Sequence, residues 1–178
     1  VPSFGDLEAQ LLIVGLAPGL KGANFTGRPF TGDFAGELLY STLIKYGFAS
    51  GLYKARPDDG LKLINCRITN AVRCLPPENK PTGPEINTCR PFLINQLDNM
   101  PNLKMILSLG LVSHNTVLKT FNERVAAHKF AHGAQHTLQS GYTLIDSYHC
   151  SKYNTSTKRL TEAMFHDVFD KITETLAD

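Results

Sequence analysis

The sequence predicts an α/β fold: a parallel sheet with helices on both of its faces. Three observations carry that expectation. Short apolar runs rich in β-formers alternate along the chain with segments whose apolar residues recur at helical spacing. The first such run, Leu11 to Val14, is unbroken, as suits a strand buried on both faces. It ends abruptly in a loop where five of the nineteen residues from Gly15 to Asp33 are glycine, so a ligand can approach the backbone closely there. Glycine content alone fits an ordinary strand-to-helix connection equally well.

At 178 residues, with 42% hydrophobic and 19% charged residues, the chain has the size and composition of a single globular domain spanning residues 1–178. No apolar run approaches the roughly 18 residues that a bilayer span needs. A formal net charge of +2 is too mild to identify a nucleic-acid partner by itself. The first residue is Val1, so a short N-terminal segment is expected to precede it. Cys66, Cys74, Cys89 and Cys150 show no C-x-x-C spacing. Four buried thiols in a reducing, cytoplasmic setting are expected, although the spacing also permits a Cys74–Cys89 bridge.

After the glycine loop, Asp33 can cap a helix carrying Leu38, Leu39, Leu43 and Tyr46 at helical spacing, which Gly47 ends. Gly51 to Gly60 is polar and turn-rich. Leu61 to Val72 is rich in β-formers, and a second strand is expected to end near Asn70. Thr82-Gly-Pro-Glu85 has the capping-box pattern of a helix start, with Ile86, Cys89, Leu93 and Leu97 on its core side. Pro91 lies inside that helix and is expected to kink or split it. Lys104 to Leu109 reads as a third strand, followed by a short helix from Leu111 to Phe121 with Val117, Leu118 and Phe121 inward. His128, His132 and His136 are spaced like one face of a helix, but no H-E-x-x-H core or nearby Cys accompanies them. That stretch reads as a polar surface segment, not a zinc site. Tyr142 to Tyr148 is the fourth strand. A helix beginning near Thr161 carries Met164, Phe165, Val168, Phe169, Ile172 and Leu176 as one apolar stripe.

In a parallel sheet the ligand crevice lies at the carboxyl ends of the strands. Three polar segments then converge: Gly15 to Asp33, Asn70 to Arg73, and His149 to Arg159. The last carries Lys152, Lys158 and Arg159 without an acid, beside Ser151, Asn154 and neighbouring hydroxyls. Such residues can grip phosphates, and they also suit a solvated basic loop.

The motifs G-L-A-P-G with G-A-N-F-T-G-R-P-F-T-G-D, I-T-N-A-V-R-C-L-P-P-E-N-K-P-T, T-C-R-P and Y-H-C-S-K-Y-N-T-S-T-K-R-L-T resemble those of family 5 (type b) uracil-DNA glycosylases. They occur in the family's order over nearly the whole chain. The resemblance implies a three-layer α/β/α sandwich around a four-stranded parallel sheet. It also implies excision of uracil, and of other deaminated bases, from DNA by a monomer that leaves an abasic site and frees uracil.

Roles follow from the chemistry. A stacked base is out of reach, so the nucleotide must be flipped into a pocket. The resemblance makes Gly15, Ala17, Phe30, Asn70 and His149 the base pocket. Phe30 is the stacking platform, unless it is simply a core residue. Asn70 offers the donor and acceptor that uracil's O4/N3 edge requires, and it also suits a turn at a strand end. His149 can stabilise the departing base as a neutral hydrogen-bond donor to O2, the preferred reading, or act as a proton donor. In family 4 the second residue of the first motif is an acid; here it is Leu16, which cannot activate water. Asp33 becomes the acidic candidate for orienting water or stabilising the cationic sugar, a role compatible with capping a helix. Asn24 is a further candidate for the same water. Ser151, Lys152, Asn154, Lys158 and Arg159 are the expected DNA contacts.

The family holds a 4Fe–4S cluster on four cysteines, two of which correspond to Cys74 and Cys89. The other two ligands would lie before Val1. A cluster is therefore expected only if the natural chain is longer, and otherwise no cofactor. The competing reading is a damaged-DNA or nucleotide-binding module with weak or lost catalysis.

Overall fold

The computed structural model describes residues 1–73 and 81–178. Its central sheet has six strands in the order β1-β5-β2-β6-β8-β7. The four expected strands are the parallel inner ones: β2 (Leu11–Gly15), β5 (Cys66–Asn70), β6 (Met105–Leu109) and β8 (Thr143–Ser147). The expectation of four strands is corrected by two antiparallel edge strands, β1 (Phe4–Gly5) beside β5 and β7 (Gln135–Thr137) beside β8. At two and three residues, neither is long enough to show an alternating pattern. The turn-rich 51–61 stretch is closed by a separate small ladder of β3 (Ala49–Ser50) and β4 (Lys62–Leu63).

Alternation along the inner strands builds two cores. Leu11, Ile13, Leu107 and Ile145 face α2 (Phe34–Lys45) and α6 (Glu162–Ala177), packing with Leu39, Leu43, Phe165 and Phe169. Leu12, Val14, Ile106 and Leu144 face α3 (Gly83–Asp98) and α4 (Leu111–Thr120), packing with Leu93, Leu97, Val117 and Leu118. The result is the three-layer α/β/α arrangement.

The caps stand where the sequence puts them. Asp33 accepts from the Gly36 N–H, Thr82 and Glu85 form the capping box, and Thr161 caps α6. Pro91 does not split α3, which runs unbroken over 16 residues. Its missing N–H falls on the exposed side, opposite an exposed Asn87, while buried Cys89, Leu93 and Leu97 hold the helix to the core. Two stretches expected as loops contain single helical turns, α1 (Ala23–Thr26) and α5 (Lys152–Ser156).

The histidine stretch is corrected too. It holds a 3-10 turn, Val125–Ala127, and then β7, and each imidazole is partly buried with its own partner. His128 meets Glu123, His132 lies between the Tyr148 N–H and the Met164 carbonyl, and His136 meets Asp146.

Candidate active site

The site begins with strand register. Gly15 at the end of β2 pairs with Asn70 at the end of β5, which brings the first loop and the Asn70 side chain together. Gly15 is required there by space, because a Cβ would stand 2.5 Å from Asn70 Oδ1 and would also strike the Phe30 ring. Its carbonyl accepts from the Ala71 N–H at 2.9 Å and from Ser113 Oγ at 2.8 Å, fixing the strand end from two sides.

Beyond it lies a cavity of about 300 Å³ lined by Leu16, Ala17, Phe30, Asp33, Asn70 and His149, with Ser151 and Lys152 also among its walls. Leu16 gives that wall an apolar side chain. The Phe30 and His149 rings have centroids 5.9 Å apart and planes 31° apart. Phe30 is buried, and its φ of +54° is the left-handed region, unusual for a residue with a Cβ. Asn70 Oδ1 is buried and has no hydrogen-bond partner among the described residues. Asn70 is a residue of the cavity wall, and its Oδ1 lies at the Gly15 strand end with its acceptor capacity unused.

Burial lowers the His149 imidazole from 6.5 to about 4, so it is uncharged at neutral pH. Burial raises the Asp33 carboxyl above its ordinary value, opposed by the hydrogen bond from the Gly36 N–H to Oδ1 at 3.1 Å. Its other oxygen lies against Gly22, where a Cβ would stand 2.7 Å away.

The other residues singled out by their motifs separate by position. Asn24 is exposed on α1 and does not line the cavity, although its neighbour Ala23 does. Ser151 caps α5, and Asn154 is turned inward, donating from Nδ2 to the His149 carbonyl at 2.9 Å. Lys158 and Arg159 are exposed, the latter with its guanidinium 4.7 Å from the Tyr148 ring centroid. Phe34 and Ala35, at the start of α2, also line the cavity; only their position directly after the capping Asp33 hinted at that.

Metal-ligand chemistry occurs elsewhere. His114, His136 and Asp146 place their donor atoms within 4.8 Å of one another. Those atoms are occupied by each other: Asp146 meets His114 Nδ1 at 2.7 Å and His136 Nε2 at 2.8 Å, and accepts from Ser108 Oγ at 2.9 Å. His114 Nε2 donates to the His128 carbonyl at 2.7 Å. The group bolts α4, β6, β8 and β7 together. Of the cysteines, Cys74 lies outside the described residues, Cys89 is buried in α3, and Cys66 and Cys150 pack in the core beneath α2 and α6. The described residues do not assemble a four-thiolate set: Cys66, Cys89 and Cys150 are free, buried thiols.

Comparison with known proteins agrees with this architecture. The sequence model of the Uracil DNA glycosylase superfamily matches residues 2–173. The Type-5 uracil-DNA glycosylase of Thermus thermophilus is 45% identical over 168 residues, covering 94% of this chain and 76% of that protein. Its Mycobacterium leprae counterpart is 40% identical over 171 residues, 95% of this chain and 75% of that protein. The Pyrobaculum aerophilum Type-5 enzyme is 38% identical over 161 residues, 90% and 70% of the two chains. With the sheet, the crevice at its carboxyl ends and these matches in agreement, the chain belongs to the Uracil DNA glycosylase superfamily.

Proposed function

We propose that this chain is a monofunctional uracil-DNA glycosylase, a hydrolase of N-glycosyl bonds, that receives a flipped uracil in the cavity between Phe30 and His149. The observation that carries the reading is Asn70, a cavity-wall residue whose buried Oδ1 has no partner among the described residues. Uracil N3–H supplies the missing donor, and the Asn70 amide N–H meets O4. Cytosine has an acceptor at N3 and a donor at N4, so both contacts become repulsive.

The bond between the base and C1′ breaks with its electron pair going to the base. His149, neutral, donates a hydrogen bond to O2 as charge develops there. Asp33 stabilises the cationic sugar and orients the water that adds to C1′, and the proton this water gives up ends on the departed uracil anion, which leaves as neutral uracil. Leu16 leaves no other acid in the first motif for that task. Lys152, Lys158 and Arg159, with Ser151, engage the DNA backbone, whereas Asn154 acts by tying down the His149 carbonyl. The protein works as a monomer on chromosomal DNA in the cytoplasm. Cys74 and Cys89 match two of the four cluster positions of its family, and iron analysis of a longer chain tests that match. Bound iron supports it, and an iron-free active enzyme removes it.

The functional test uses duplex DNA with one uracil, followed by alkaline cleavage of abasic sites. Strand breaks at the uracil are expected. Intact strands with retained DNA binding would instead identify a binding module.

A further inference from the structure

The Phe30 platform is held in a left-handed backbone conformation, φ +54°, with Gly32 at +90° two residues on. A residue with a Cβ stays there only when its surroundings impose it. Those surroundings come from outside the glycine loop. Tyr53 Oη donates to the Phe30 carbonyl and accepts from the Gly32 N–H, both at 3.3 Å, so a single hydroxyl spans the turn. Tyr40 Oη donates to the Pro29 carbonyl at 2.5 Å, and the two tyrosine rings stack with centroids 4.7 Å apart.

Behind them, buried Arg28 donates from Nε to Thr31 Oγ1 at 2.7 Å, and from Nη1 and Nη2 to the two oxygens of Asp59 at 2.9 and 2.8 Å. Asp59 also accepts from the Lys54 and Leu61 N–H groups, both at 3.0 Å, which folds the 51–61 loop around Tyr53. Gly36 completes the fit: a Cβ there would stand 2.7 Å from Tyr53 Oη and would strike the Phe30 carbonyl.

We propose that Tyr53, backed by the Arg28–Asp59 pair, is a positioning residue that sets the plane of the Phe30 ring against the flipped base. The inference rests on the reading of Phe30 as the stacking surface. The 51–61 loop is then part of the machinery of base recognition although none of it touches the base.

Tyr53→Phe keeps the ring stack and removes only the hydroxyl. It is expected to lower the single-turnover rate on uracil-containing duplex about tenfold and to weaken inhibition by free uracil by a similar factor, since small misplacements of a reacting group are costly. Its affinity for abasic-site DNA should match the parent. A double-mutant cycle with Phe30→Leu supplies the readout that a merely structural role would not move. Once Phe30 is gone, Tyr53→Phe should cost nothing further. Parental kcat and uracil inhibition in Tyr53→Phe overturn the proposal, as does a lowered midpoint with parental kcat, or strict additivity in the cycle. A parent-like Phe30→Leu would instead overturn the stacking role itself, so the two failures are distinguishable.

Discussion

His149 is half-buried in the cavity wall, and desolvation holds its imidazole at about 4 in the folded protein, against 6.5 when free. Between those values the unfolded chain binds the extra proton and the native state does not, so stability rises with pH across that window and falls as the solution is acidified. At pH 5 the effect is on the order of 2 kcal/mol. His149→Ala should therefore flatten the parent's loss of stability between pH 6.5 and 4, measured as urea midpoints at each pH. The same shift bears on mechanism. A neutral donor predicts a kcat that does not decline from pH 6 to 8, whereas a proton donor titrating near 4 would already be almost wholly deprotonated there. Asp33, raised by burial, adds an acid limb above the ordinary carboxylate range, and Asp33→Asn should lower kcat far more than DNA affinity. Asp33 was legible because it opens a helix directly after Gly32, and His149 because it stands in the polar loop just past the fourth strand. Asn24 stands exposed on α1, outside the cavity lining, because proximity in a motif does not reveal which way one helical turn points. Tyr53 and Asp59 gave no sign of themselves: Asp59 reaches Arg28 across 31 positions, and nothing local marks that pairing.

At the scale of elements, caps were the most readable feature, because a side-chain acceptor three residues ahead of a free N–H is written in the sequence. Thr82→Ala should cost about 1 kcal/mol of stability by urea titration, since it removes the capping box that starts α3. Pro91 does not split α3 because a propensity penalty applies to an isolated helix, while α3 is held by the buried Cys89, Leu93, Gln96 and Leu97. The loop after β8 is the complementary case. Its basic residues were visible, but its turn α5 and the inward role of Asn154 come from capping by Ser151 and from the His149 carbonyl. Lys158, exposed and outside the cavity, should contribute charge alone. Lys158→Ala is expected to weaken DNA binding across sequences and reduce the slope of log affinity against log salt by about one, with little change in kcat once DNA is saturating.

For the whole molecule, the four inner strands and their order of appearance were legible from apolar runs. The two edge strands were not, because they exist only through pairing with β5 and β8. The architecture explains why the chemistry sits where it does. Parallel strands all deliver their carboxyl ends to one side, so Leu16, Asn70 and His149 line one cavity although they are separated by up to 133 positions in sequence. The buried His114–Asp146–His136 group then fixes β8 only three residues before His149. The central claim is that this convergence forms a pocket for one base, read by Asn70. The most direct test is a crystal structure of the protein soaked with free uracil. The expected result is a uracil ring facing Phe30, with N3 about 3 Å from Asn70 Oδ1 and O2 facing His149. Uracil bound elsewhere, or an Asn70 Oδ1 still without a partner in the occupied protein, would contradict it.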